Sequence, residues 1–147
     1  MRGAEQVRTA ILDASVAVRW VVPEAGTEHA VELLSQPIAW MAPRLMVAEV
    51  AAALRRKVVG EELRAEQAID ALAALLAAVA DGTVQLAEEE TLVGAALTLA
   101  LTSGHRVPDC LYLAIAEREG AALATADRRL EALARERGVS TMFVPSA

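Results

Sequence analysis

The sequence is poor in several things that protein chemistry often relies on. It holds one cysteine, Cys110, so no internal disulfide can form, and a reducing, cytoplasmic setting is expected. With two histidines and one cysteine, it has no Cys/His cluster for a zinc site. Aromatic residues make up only 3% of the chain, which limits base stacking as a way of holding nucleic acid. The longest uncharged apolar run, Ala71 to Ala80, is too short to cross a bilayer, and Met1 to Arg8 lacks the apolar core of a secretory signal. Excess positive charge is missing too. The net charge is −6, so any contact with nucleic acid must depend on local arginines or a metal ion.

What is present is a chain of 147 residues, 55% hydrophobic and 23% charged, which fits one globular domain. A frayed polar extension is expected over residues 1–8 and a single domain over 9–147. Short apolar runs alternate with longer helical patterns. Strands are expected at Thr9 to Leu12, Ile38 to Met41, Val84 to Leu86, Ala121 to Ala124 and Thr141 to Val144. Val16 to Val22 is an apolar stretch closed by Pro23. Helices are expected at Thr27 to Leu34, Leu45 to Val59, Arg64 to Val79, Glu88 to Thr102 (with acids in its first turn), from Pro108 onward, and at Arg128 to Arg137. Strands alternating with helices predict an α/β fold with a parallel sheet covered on both faces.

The chain has five aspartates, and three of them, Asp13, Asp109 and Asp127, fall where a strand has just ended or a helix begins. In open α/β sheets, ligand sites gather at that rim. Glu49 is a fourth candidate. It interrupts the otherwise apolar run from Leu45 to Leu54, and a carboxylate buried there is costly unless paired or bound to a metal. The competing reading for each aspartate alone is a helix cap, most readily for Asp127. Convergence of all four would instead create mutual repulsion, which a cation relieves. Ligands that are all oxygen select hard ions such as Mg²⁺ or Mn²⁺.

Four segments, in order, resemble the PIN-domain ribonucleases, and in particular the VapC-type toxins of type II toxin–antitoxin pairs. They are Ile11-Leu12-Asp13-Ala14-Ser15-Val16; Ala42-Pro43 through Val47-Ala48-Glu49-Val50 with Arg55 and Arg56 following; Val107-Pro108-Asp109 through Ala116; and Leu123-Ala124-Thr125-Ala126-Asp127-Arg128-Arg129-Leu130. The resemblance implies a PIN-like three-layer α/β/α fold with a central parallel sheet of four or five short strands. It implies a metal-dependent endoribonuclease in which Asp13, Glu49, Asp109 and Asp127 are the catalytic acids and the ligands of Mg²⁺ or Mn²⁺, with Ser15 and Thr125 as polar supports. Water activated by the metal would attack the RNA phosphodiester in line. A VapB-type antitoxin partner and a homodimer are also implied, with no membrane association. The polar extension before the first strand is longer than is usual in the family, and Cys110 stands where the family often has Ala.

Among the remaining residues, Arg44 and Arg128 are the candidates for RNA phosphate contacts, with a solvated surface as the alternative, more so for Arg129. Arg55-Arg56-Lys57 reads as the outer face of a helix. His29 and His105 read as surface or loop residues, Cys110 as a small buried filler, and Tyr112 as core with a partner for its hydroxyl. Trp20 and Trp40 read as core, or Trp20 as part of a groove for a partner. Two other functions stay open: a catalytically silent PIN-like binding scaffold, and an α/β phosphatase using Asp13 as nucleophile. Against the phosphatase, the second aspartate wanted two residues on is Ser15.

Overall fold

The computed structural model describes residues 7–24 and 26–145. Five strands form one sheet: β1 (Arg8–Leu12), β2 (Ile38–Pro43), β3 (Val84–Ala87), β4 (Ala122–Thr125) and β5 (Thr141–Phe143). Every pairing is parallel, and the order across the sheet is β3-β2-β1-β4-β5. Seven α-helices surround it: α1 (Ala14–Val21), α2 (Thr27–Leu34), α3 (Leu45–Val59), α4 (Ala65–Ala80), α5 (Val93–Ser103), α6 (Val107–Glu119) and α7 (Arg128–Glu136). The expected α/β fold with a parallel sheet is the one observed. Of the polar extension, residues 1–6 lie outside the described residues, and Arg8 pairs with Ile38 in β1.

Local chemistry explains most of these elements. In β1, Ala10, Ile11 and Leu12 are consecutive and fully buried, which requires cover on both faces of the sheet. Helix α6 supplies much of it, lying against β1, β2 and β4. It has Pro108 in its first turn, and Cys110 to Ala116 are buried without a break, as befits a helix enclosed on all sides. Gly120 ends it in the left-handed conformation (φ 61°), which lets the chain turn directly into β4. α5 packs on α6, α1 packs on α2, α3, α4 and β4, and α7 covers β4 and β5.

One expectation is corrected. The stretch from Glu88 to Thr102 is not one helix: a 3₁₀ turn covers Glu90–Leu92 and α5 begins at Val93, so its first turn holds no acid. Trp20, read as core or as part of a groove, is half-buried. Its indole N–H donates to the Ala30 carbonyl at 2.8 Å, and its ring meets Trp40 edge-on at 5.2 Å.

The core predicts a contrast that urea denaturation can measure. Leu113→Ala, at a fully buried position, is expected to cost about 2–5 kcal/mol. Leu101→Ala, at a position 77% exposed, is expected to change stability by no more than about 0.5 kcal/mol.

Candidate metal centre

The strand order reverses direction between β1 and β4, since the chain builds outward from β1 to β2 and β3, then returns to the other side for β4 and β5. The crevice at the carboxyl ends of the two strands flanking such a reversal is the usual ligand site in an open α/β sheet. Asp13 follows β1 directly, and its amide donates to the Ala124 carbonyl at 3.0 Å, tying it to β4. Asp127 lies two residues beyond β4. Glu49 comes from α3 and Asp109 from the first turn of α6. All four carboxylates line one cleft of about 370 Å³, so the sequence-predicted acids are brought together.

Their surroundings differ. Asp13 is only 6% exposed and occupies the N-cap position of α1, but its side chain makes no capping bond. Instead, Asp13 Oδ2 accepts hydrogen bonds from the Ser15 hydroxyl at 2.5 Å and the Thr125 hydroxyl at 2.7 Å. Ser15 Oγ in turn accepts from the Ala126 amide at 2.9 Å, and Thr125 Oγ1 from the Asp127 amide at 3.0 Å. The two supports thus link the ends of β1 and β4. Burial pushes the Asp13 carboxyl up to about 6 from an ordinary 3.8. The Ser15 and Thr125 hydroxyls pull it down, and the charges of Glu49 and Asp109 raise it further.

Glu49 is also raised above its ordinary value, chiefly by burial and partly by Asp109, while Tyr112, Arg106 and Arg56 oppose the shift. Tyr112 is fully buried, yet its hydroxyl donates to Glu49 Oε1 at 2.6 Å and accepts from the Ala14 amide at 3.3 Å. One phenol therefore fixes Glu49 relative to the Asp13–Ala14 junction. The expected hydroxyl partner exists, 63 positions away in sequence. Asp109 receives one ion pair, from Arg106 at 3.4 Å. Asp127 is a helix cap as well as a cleft residue: its Oδ1 accepts from the amides of Arg129 at 2.8 Å and Leu130 at 3.3 Å. Cys110 is fully buried and burial pushes its thiol up, the opposite of an activated nucleophile.

The arginines fall differently from expectation. Arg44 is exposed and does not line the cleft. Arg128 lies over the Phe143 ring at 5.0 Å. Arg19, Arg56, Lys57 and Arg106 are basic residues that line the cleft. Arg56 is exposed, as an outer face requires, but it and Lys57 also reach the cleft: they stand seven and eight residues after Glu49, a spacing that returns to the same side of a helix. Lys57 is committed to Glu24 at 3.0 Å.

The donor set fits a hard divalent ion in kind. It consists of carboxylate oxygens, and in two of the four groups burial and neighbouring carboxylates raise the pKa, a cost that a bound cation would offset. Asp13, Glu49 and Asp109 are the residues able to hold such an ion, with Asp127 beside them. Among the described residues, no three Asp, Glu, His or Cys side chains already converge closely enough to grip an ion as they stand.

A parallel α/β sheet with acids gathered at its reversal point defines an open α/β protein with its ligand crevice at the strand ends. The PIN domain family model matches residues 10–136, and the chain belongs to that family. No curated protein matches the chain. Solved structures similar to it include VapC20 from Mycobacterium tuberculosis, a sarcin-ricin loop cleaving toxin. It aligns with a TM-score of 0.68 at 17% identity, over 84% of this chain and 94% of that one. PAE2754 from Pyrobaculum aerophilum aligns at 0.66 and 21% identity, over 95% and 92%. VapBC2 from Rickettsia felis, solved bound to a DNA fragment from its promoter, aligns at 0.62 and 15% identity, over 92% and 98%. The structural neighbours thus include VapC toxins of VapBC pairs, some crystallised as toxin–antitoxin complexes. PIN domains are typically nucleases, and PIN nucleases generally bind divalent metals. Among the described residues, no helix is long and apolar enough to cross a membrane.

The raised Asp13 value has a consequence for stability. Its folded value of about 6 lies above the ordinary 3.8, so between those values the folded state binds more protons than the unfolded state. Without metal, stability is therefore expected to fall as pH rises through that window, by on the order of 2–3 kcal/mol. Asp13→Asn is expected to flatten this dependence and to melt no lower than the parent at pH 7.5. Melting curves between pH 4 and 8 in EDTA check it. A parent protein that gains stability across that range would contradict it.

Proposed function

We propose that the chain is a metal-dependent endoribonuclease of the VapC type, which hydrolyses RNA phosphodiester bonds and is held inactive by a VapB-type antitoxin. The observation that carries the reading is the meeting of Asp13, Glu49, Asp109 and Asp127 in one cleft at the reversal point of the sheet, with the Asp13 and Glu49 carboxyls left short of compensating charge. Mg²⁺ or Mn²⁺, when bound, supplies Lewis acidity toward the scissile phosphate and lowers the pKa of a water.

The residues of the chain divide the remaining work. Asp13, Glu49 and Asp109 bind the ion. Ser15 and Thr125 hold the Asp13 carboxylate in one orientation, and Tyr112 does the same for Glu49. Asp127, half engaged by the α7 amides, orients water or a second ion. The antitoxin and a homodimer are the expected partners, supported by the toxin–antitoxin complexes among the structural neighbours.

The test is incubation of the purified protein with single-stranded and structured RNAs. Cleavage is expected with Mg²⁺ or Mn²⁺, to stop in EDTA, and to return when metal is restored. Asp13→Asn and Glu49→Gln are expected to lower the rate by more than roughly a hundredfold. Thr125→Val, which removes a support and not a ligand, is expected to lower it by roughly 10–100-fold. Cleavage that persists in chelator or survives Asp13→Asn would overturn the assignment.

A further inference from the structure

Each of the four acids in the cleft has one oxygen engaged by the protein and one left open. Asp13 Oδ2 accepts from both the Ser15 and the Thr125 hydroxyl, while Oδ1 has no partner among the described residues. Glu49 Oε1 accepts from the Tyr112 phenol, and Oε2 is open. Asp109 Oδ1 faces the Arg106 guanidinium, and Asp127 Oδ1 accepts from two amides of α7, which leaves Oδ2 open in both. These open oxygens are not sealed in the core. Among the described residues, the buried side-chain oxygens without a partner belong to Glu24 and Glu89, so all four acids keep a solvent-accessible oxygen. Asp13 shows this most sharply: only 6% of it is exposed, yet Oδ1 stays unpartnered and the residue lines the cleft.

We propose that this pattern restricts the carboxylates to one oxygen each toward an ion and so selects Mg²⁺ over Ca²⁺, with Tyr112 and Thr125 as the positioning residues that set the preference. This rests on the metal-dependent reading above and adds how that site chooses among ions. Ca²⁺ takes about six to eight oxygens and often binds a carboxylate through both of its own. Mg²⁺ is smaller, demands octahedral geometry and keeps several waters, so it needs few carboxylate oxygens. Acids free to turn both oxygens inward serve Ca²⁺ well, because Mg²⁺ gives up its water reluctantly. Here the turning is blocked. Thr125 and Tyr112 are fully buried, so neither hydroxyl can swing aside to release the oxygen it holds. Their positions are fixed in turn: Thr125 Oγ1 accepts from the Asp127 amide at 3.0 Å and the Tyr112 hydroxyl from the Ala14 amide at 3.3 Å. Ser15 Oγ, the second donor to Asp13, accepts from the Ala126 amide at 2.9 Å. At Asp127 the donors are backbone amides in the first turn of α7, which stay in place as long as the helix does. Asp109 is the one loosely held acid, since its contact to Arg106 is long, at 3.4 Å. The site thus gives an ion few protein oxygens and leaves the rest of its shell to water, which suits Mg²⁺ and penalises Ca²⁺.

Calorimetric titration of the purified protein with Mg²⁺ and, separately, with Ca²⁺ tests this in the absence of RNA. The parent protein is expected to bind Mg²⁺ at least as tightly as Ca²⁺. Tyr112→Phe frees Glu49 Oε1, and Thr125→Val loosens the hold on Asp13 Oδ2. Each is expected to shift the ratio of the two Kd values toward Ca²⁺ by roughly fivefold or more, as Mg²⁺ binding weakens while Ca²⁺ binding holds or tightens. Leu75→Ala, a change in the core at α4 that touches no acid, is expected to keep the parent's ratio. A parent protein that favours Ca²⁺, or a loss of affinity in Tyr112→Phe and Thr125→Val that is equal for both ions, would overturn the proposal. Selective binding of this kind in a protein that cuts no RNA removes the nuclease reading and leaves the ion preference intact. Mg²⁺-dependent cutting by a protein whose preference ignores both variants does the opposite, and a protein that binds neither ion loses both.

Discussion

The arrangement depends on one energetic conflict, the burial of a carboxylate at the end of β1. Asp13 is nearly closed off from water, two hydroxyls hold one of its oxygens, and two further carboxylates act on it from α3 and α6. Two neutral hydroxyl donors are too little to offset desolvation of a full charge, which is why the group sits near 6 and not below 4. A fold seeking stability alone would place an apolar side chain there. Retaining the acid makes sense where a cation completes the site. The unfavourable term in the empty protein then becomes binding energy for the ion.

The topology keeps this conflict local. Because β1 lies in the middle of the sheet and the strand order reverses between β1 and β4, two strand ends open side by side. Ser15 and Thr125 bridge them across more than a hundred residues of sequence. The fully buried α6 delivers Asp109 from its first turn and Tyr112 from its second, so packing in the core fixes the positions of Asp109 and, through the phenol, Glu49. Arg106 contacts Asp109 of the proposed ligand set, and the charge of Arg56 acts on Glu49 from two helical turns away.

The acids were legible in the sequence because each breaks a local expectation: a charge inside an apolar run for Glu49, a charge at a strand end for Asp13 and Asp127. The parallel sheet was legible from alternation. The arginines were not, for a geometric reason. Arg128 and Arg129 are neighbours on a helix and point about 100° apart, so their order in the chain cannot say which turns onto the Phe143 ring. Arg56 carried a usable signal in its seven-residue spacing from Glu49, masked by two adjacent basic residues. The acids expected to open a helix near Glu88 lie in and before a 3₁₀ turn instead, because the helical pattern was extended backward over residues that do not continue it.

The most direct measurement of the central claim is a calorimetric titration of the protein with Mn²⁺. The account predicts binding that weakens by at least about tenfold in Asp13→Asn and again in Asp109→Asn, while Asp70→Asn, on the surface of α4, binds as the parent does. Equal Mn²⁺ affinity in all four proteins would contradict it.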